Sequence, residues 1–199
     1  MIIDFNINFN NYNEKILNYA GFFTYVCPSC GARHSLTRHA VYERNISFLQ
    51  ENILLNKKLK ILRLKCSSCE KTHAILPNDV VPYCIYSYSF MIKTLMAHFI
   101  EKESILSISS QYNISFQLIY SFISRLKLFL NECIYVLRLF SLLKDIIGPP
   151  TEGVLNVIHN FSFSNCFFKA FFNETKWMFL MKKFLNIRPC PIVIGSFDT

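Results

Sequence analysis

The chain has 199 residues, a net charge of +8 at neutral pH and a hydrophobic share of 52%. Its length admits one domain or two small ones, and its basic balance favours a polyanionic partner, nucleic acid before an anionic membrane surface. The mean hydropathy is positive, yet the most apolar stretches exclude a spanning helix: residues 80–100 contain Pro82, Lys93 and His98, and residues 134–147 contain Arg138, Lys144 and Asp145, where a span wants about 20 residues with few or no charges.

Residues 1–10 alternate, with Phe5, Ile7 and Phe9 on one side and Asp4, Asn6, Asn8 and Asn10 on the other. That is the period of a half-buried strand. Residues 11–20 read as a short helix or a connection. Two Cys-x-x-Cys pairs follow, Cys27-Pro28-Ser29-Cys30 and Cys66-Ser67-Ser68-Cys69. Each is entered by a short β-prone run, residues 22–26 and 61–65, and Gly31 follows the first pair where a tight turn favours positive φ. Four thiolates in two tight pairs suit one tetrahedral, structural Zn²⁺. The expectation is a zinc ribbon over residues 21–82, with Cys27, Cys30, Cys66 and Cys69 as ligands. The 35 residues between Cys30 and Cys66 must then form a hairpin or small subdomain of their own. His34, His39 and His73 lie near the pairs, but four cysteines close the site, so these read as surface or loop residues. Cys84, Cys133, Cys166 and Cys190 are scattered and read as core thiols. No secretory signal is seen, and the paired cysteines have metal spacing rather than that of a disulfide framework.

The ribbon segment collects basic residues, among them Arg33, Arg38 and Arg44, as candidate phosphate contacts. Pro77 and Pro82 mark its exit. Residues 86–101 suit an amphipathic helix carrying Ile92, Leu95, Met96 and Phe99. Residues 104–127 read as a helix-turn-helix. Ile105 and Ile108 pack the first helix, Ser109 allows close approach, Asn113 takes the left-handed turn position and Ile114 plugs the turn. Ser115 caps the second helix, and Leu118, Ile119, Phe122 and Ile123 bury one face of it. Its exposed N-terminal face would enter a major groove, with Phe116, Gln117, Tyr120 and Ser121 towards the bases and Arg125 and Lys127 towards phosphates. The breaker Gly148-Pro149-Pro150 separates this helical region, 83–147, from a tail, 148–199. The tail holds one helix around residues 167–185, with Phe and Trp residues for core or docking, Pro189 and Pro191 to end it, and a short strand at residues 192–195. The fold class is α+β: an N-terminal strand and connection (1–20), a small β ribbon, a helical region and a helical tail.

These residues also have a family look. Cys27-Pro-Ser-Cys-Gly-Ala, Arg38-His39, Tyr42-Glu-Arg44, Leu62-Arg-Leu-Lys-Cys66-Ser-Ser-Cys69 and Thr72-His73-Ala-Ile-Leu-Pro77 together resemble an uncharacterised bacterial family known as a domain of unknown function and associated with mobile elements. More loosely, they are similar to the N-terminal DNA-binding region of insertion-sequence transposases. The similar stretch runs from about Gly21 to Lys127. The resemblance implies zinc at the four cysteines and DNA binding by the helix-turn-helix. A transposase of the DDE type would need three carboxylates holding two Mg²⁺. After the helix-turn-helix only Glu132, Asp145, Glu152, Glu174 and Asp198 remain, on helix-like or terminal segments, so no catalytic site is expected.

The expected function is therefore a non-catalytic, zinc-dependent, sequence-specific reader of double-stranded DNA linked to transposition. It would be cytoplasmic and nucleoid-associated, and partnered by a transposase or a second copy of itself. A transcriptional regulator with the same parts and a zinc-stapled protein-interaction scaffold are the alternatives.

Overall fold

The structure is a computed structural model that describes residues 1–7, 9–17, 24–143, 148–160, 165–181 and 193–194. It is a mixed α and β fold. Among the described residues, a five-stranded sheet is ordered β2-β3-β4-β1-β5, from β1 (Ile2–Asp4), β2 (Leu36–Gln50), β3 (Ile53–Cys66), β4 (Thr72–Pro77) and β5 (Val193–Ile194). The described helices are α1 (Tyr12–Leu17), α2 (Tyr88–Phe99), α3 (Ile105–Tyr112), α4 (Phe116–Leu139), α5 (Pro150–Asn160) and α6 (Asn165–Thr175).

The chain divides into two compact units, and neither is continuous in sequence. The first takes Met1–Ile46, Asn56–Ile85 and β5; the second takes Ser47–Leu55 with the helices from Tyr86 onward.

In the first unit, β1 runs parallel to β4, pairing Ile2 with Ile75 and Ile3 with Leu76, and parallel to β5, pairing Ile2 with Val193. A three-residue strand with neighbours on both sides is wholly buried. It is shorter than the alternation of residues 1–10 leads one to expect. Asp4 ends it: a carboxylate oxygen accepts from the Asn6 backbone N–H at 2.9 Å, and its carbonyl accepts from Ile7 at 3.3 Å. Aspartate bonding its own backbone two residues on turns the chain instead of extending it. Asp4 is itself buried rather than facing solvent, and Asn8 lies outside the described residues. The 15- and 14-residue strands β2 and β3 form the hairpin required by the long spacer between the cysteine pairs. Glu51 and Asn52 turn it with φ of 51° and 65°, the doubly left-handed conformation whose twist matches a hairpin.

In the second unit, α2, α3 and α4 each begin on a serine. The hydroxyls of Ser87, Ser104 and Ser115 accept from the N–H of Phe90, Ser107 and Leu118 at 3.3, 3.1 and 3.3 Å. Each satisfies a donor that the first helical turn leaves unpaired. The core is aromatic. Phe90 meets Tyr112 at 5.3 Å edge-on, Phe129 meets Phe171 at 5.7 Å, and Phe171 meets Phe179 at 5.4 Å. Each such ring contributes about 2 kcal/mol by leaving water. The tail phenylalanines at 167, 168, 171 and 172 are thus core. Cys84 and Cys133 are buried as expected, while the side chain of Cys166 and residue Cys190 lie outside the description. So do residues 182–185 of the expected tail helix, together with Pro189 and Pro191. α6 ends at Thr175, and the expectation of one tail helix misses α5, which Pro150 opens. A proline tolerated at a first helical position reads as a breaker in sequence. Among the described residues no helix is long and apolar enough to cross a membrane.

Candidate metal centre and candidate nucleic-acid interface

Cys27, Cys30, Cys66 and Cys69 converge in the first unit, with all four sulfurs within 4.8 Å of one another. The Cys27–Cys69 and Cys30–Cys66 Sγ pairs are both 3.7 Å apart. Two turns with the same hydrogen-bond pattern bring them together. In the first, the Cys27 N–H donates to Ala32 O at 2.9 Å and Gly31 N–H donates to Cys27 O at 2.9 Å; in the second, Cys66 donates to Lys71 O at 3.0 Å and Glu70 donates to Cys66 O at 2.9 Å. Gly31 and Glu70 occupy the same place, with φ of 75° and 59°. A short bond from Ser67 N–H to Ser35 O, 2.8 Å, joins the second turn to the segment after the first. β3 feeds the second pair as expected. The first is not entered by a strand over the described residues Thr24–Val26; residues 22 and 23 lie outside the description.

The cluster is electrostatically uneven. Burial would push the Cys66 thiol up, but the Ser35 hydroxyl, 3.3 Å from its sulfur, and the N–H groups of Cys69 and Ser68 hold it down to about 6. Cys30 accepts from the Ala32 N–H, which favours its thiolate, yet lost hydration and the thiols of Cys27, Cys69 and Cys66 push it up to about 12. The protons of such a set leave as a group, and a metal ion would displace the last of them. Four soft thiol ligands in a closed set could hold a metal ion.

His73 corrects an expectation. It is not a surface residue: only 5% of it is exposed, and its Nε2 lies 3.4 Å from Cys27 Sγ. Burial, then the charges of the Met1 amino group and Lys71, bring its imidazole down to about 4. The alternation of β4 carries the signal, because His73 shares the inward face with Ile75. His34 and His39 are exposed, as expected.

Of the ribbon arginines, Arg33 and Arg38 are exposed. Arg44 is not a free surface cation. It is half-buried, and its Nη2 donates to Val81 O at 2.8 Å and Cys84 O at 2.6 Å, so its guanidinium ties β2 to the loop before the helices.

In the second unit, α3 and α4 meet across a three-residue turn. Asn113 sits in the left-handed region at φ 51°, ψ 51°, and Ser115 is the N-cap of α4. The Ser109 hydroxyl donates to Ile114 O at 2.6 Å while Ile114 N–H donates to Ser109 O at 3.1 Å, which locks the turn. Ile119, Phe122 and Ile123 are buried and Leu118 is half-buried. Phe116, Gln117, Tyr120 and Lys127 are exposed on the opposite side, and Ser121 is half-buried. Arg125 is half-buried, and its Nη1 donates to Leu180 O at 3.4 Å. α4 has 24 residues, about 36 Å at 1.5 Å per residue. Its second half exposes Leu128, Tyr135 and Leu139 at 57%, 54% and 52%.

Residues 27–112 match a family described as a domain of unknown function (DUF6431). The match begins on the first cysteine and ends with α3, so it takes in the four clustered cysteines, the hairpin and α2. No curated protein and no solved structure matches the chain.

Proposed function

We propose that this chain is a zinc-dependent, sequence-specific DNA-binding protein that acts by binding rather than catalysis. The observation that carries the metal is the sulfur geometry. Four sulfurs about 2.3 Å from a zinc ion lie about 3.8 Å apart along the edges of a tetrahedron, close to the 3.7 Å of the Cys27–Cys69 and Cys30–Cys66 pairs. The ion would tie two segments 35 residues apart in sequence, so its binding free energy is folding free energy of the first unit. The DNA reading rests on α4. Its first turns present Phe116, Gln117 and Tyr120 outward over a buried face, the arrangement by which a helix reads base edges. Arg125 and Lys127 take the phosphate role, with Lys127 the more exposed of the two. The link to transposition rests on the resemblance of residues 21–127 to transposase DNA-binding regions.

The test is a fluorescence titration of zinc-loaded protein against a random duplex pool and its enriched winners over a salt series. Selective binding with a steep salt slope supports the reading. Gln117→Ala should relax base preference, while Lys127→Ala should weaken all duplexes alike. Equal effects of the two would argue against a groove-reading helix.

One observation favours a second reading, the protein-interaction scaffold: exposed Leu128, Tyr135 and Leu139 recur on one side of α4. Weak, unselective duplex binding together with tight capture of a defined protein would support it.

A further inference from the structure

The first unit contains a cleft of about 410 Å³, within the about 300–1,000 Å³ usual for ligand pockets. Tyr42 of β2, Arg63 of β3, Lys71 of the second cysteine turn, Thr72 and His73 of β4, and Tyr83 all line it. No carboxylate is among the described residues on its walls. Neither Arg63 nor Lys71 forms an ion pair with a described acidic residue. The Arg63 guanidinium lies 5.7 Å from the centre of the Tyr42 ring, so cation and aromatic face are presented together. Tyr83 is 62% exposed.

Unpaired cations in a concave site attract an anion, and the planar fork of Arg matches the oxygens of a phosphate. A bare phosphate leaves two tyrosine rings unused. A duplex cannot use them either, because its base faces are stacked inside it. Successive nucleotides of a single strand offer both a phosphate and a free base face.

We propose that this cleft binds an unpaired nucleotide of single-stranded DNA, with its phosphate on Arg63 and Lys71 and its base against the tyrosine rings. The proposal involves residues separate from those of α4 and stands whether or not α4 reads a duplex.

The experiment titrates the full zinc-loaded chain into a short fluorescein-labelled oligothymidylate, with a duplex of equal length in parallel. Arg63→Gln, Lys71→Gln and Tyr42→Leu should each weaken single-strand binding by about tenfold. Lys58→Gln is the control for general charge: this exposed lysine lies 3.6 Å from Glu43 and outside the cleft, and should change binding less than about twofold. Thymidine monophosphate should displace the oligonucleotide at concentrations where inorganic phosphate does not. Equal losses in the Lys58 and Arg63 variants, no loss in the Arg63 and Lys71 variants, or equal competition by phosphate and the monophosphate would each overturn it. Should Arg63→Gln melt early, Lys71→Gln alone decides, since the Lys71 side chain is exposed and its carbonyl keeps its bond to Cys66. Loss of duplex binding with single-strand binding intact would count against the α4 reading alone.

Discussion

Tyr25 donates its phenolic O–H to a carboxylate oxygen of Asp4 at 2.6 Å, and both side chains are buried. The bond ties the residue two before the first cysteine of the cluster to β1, which lies between β4 and β5 in the sheet. A buried carboxylate that loses a donor costs about 1.5–3 kcal/mol. Tyr25→Phe should therefore lower stability by that amount, read from urea unfolding of the zinc-loaded protein. An unchanged midpoint would mean that the carboxylate draws its support from its other contacts.

The left-handed positions of the two cysteine turns carry different residues, and substitution should expose the difference. Gly31→Ala forces a Cβ into a conformation costing about 1–2 kcal/mol. No atom lies within 4 Å of that Cβ, so the loss would be conformational alone. Glu70→Gly relieves the same strain but loosens the unfolded chain, and should move stability by less than about 1 kcal/mol. Thermal melts of the two variants check this, and equal losses would contradict the equivalence of the turns.

Metal removal should unfold the first unit. Cys66→Ser should lose the ion and resemble the chelated wild-type protein in far-ultraviolet circular dichroism, because an ion held by the four thiolates would close the fold there. Ser35→Ala is milder: it removes the hydroxyl 3.3 Å from the Cys66 sulfur and should weaken metal affinity by about tenfold in chelator competition. A Cys66→Ser protein with undiminished metal content would remove Cys66 from the ligand set.

The turn before α4 offers a test by opposite signs. Ser115→Ala removes the cap of that helix and should cost about 1 kcal/mol. Asn113→Gly frees a left-handed position, and should be neutral or gain up to about 1 kcal/mol. Chemical denaturation of both variants measures the pair. A stable Ser115→Ala protein would mean that the helix end is held by packing instead.

What could be read from sequence was whatever a few adjacent residues determine. The cysteine pairs, the left-handed Asn113 and the Ser115 cap are local chemistry, and all three lie where spacing put them. What escaped was set by distant partners. Residues 1–10 alternate well enough for a strand, but the turn bonds of Asp4 cut it to three residues. Arg44 and Arg125 look like any exposed cation until the carbonyls of Val81, Cys84 and Leu180 come into range. His73 is placed inward by the alternation of β4, a signal that a cysteine set already complete at four does not carry. Pro150 carries two opposite meanings, break or beginning, which only the helix after it resolves.

The β2–β3 hairpin belongs to both units, with its tip residues, Ser47–Leu55, grouped with the helices. In the second unit Ser87 N–H donates to Ser47 O at 2.9 Å, and Ser47 bridges Tyr86. No single cut of the chain therefore yields either half intact. A fragment beginning after Ile85 would carry every helix that starts on a serine yet lack the segment bonded to the first of them. Dissection would have to proceed by loop replacement at the hairpin, not by truncation, and neither half should melt as an autonomous fragment.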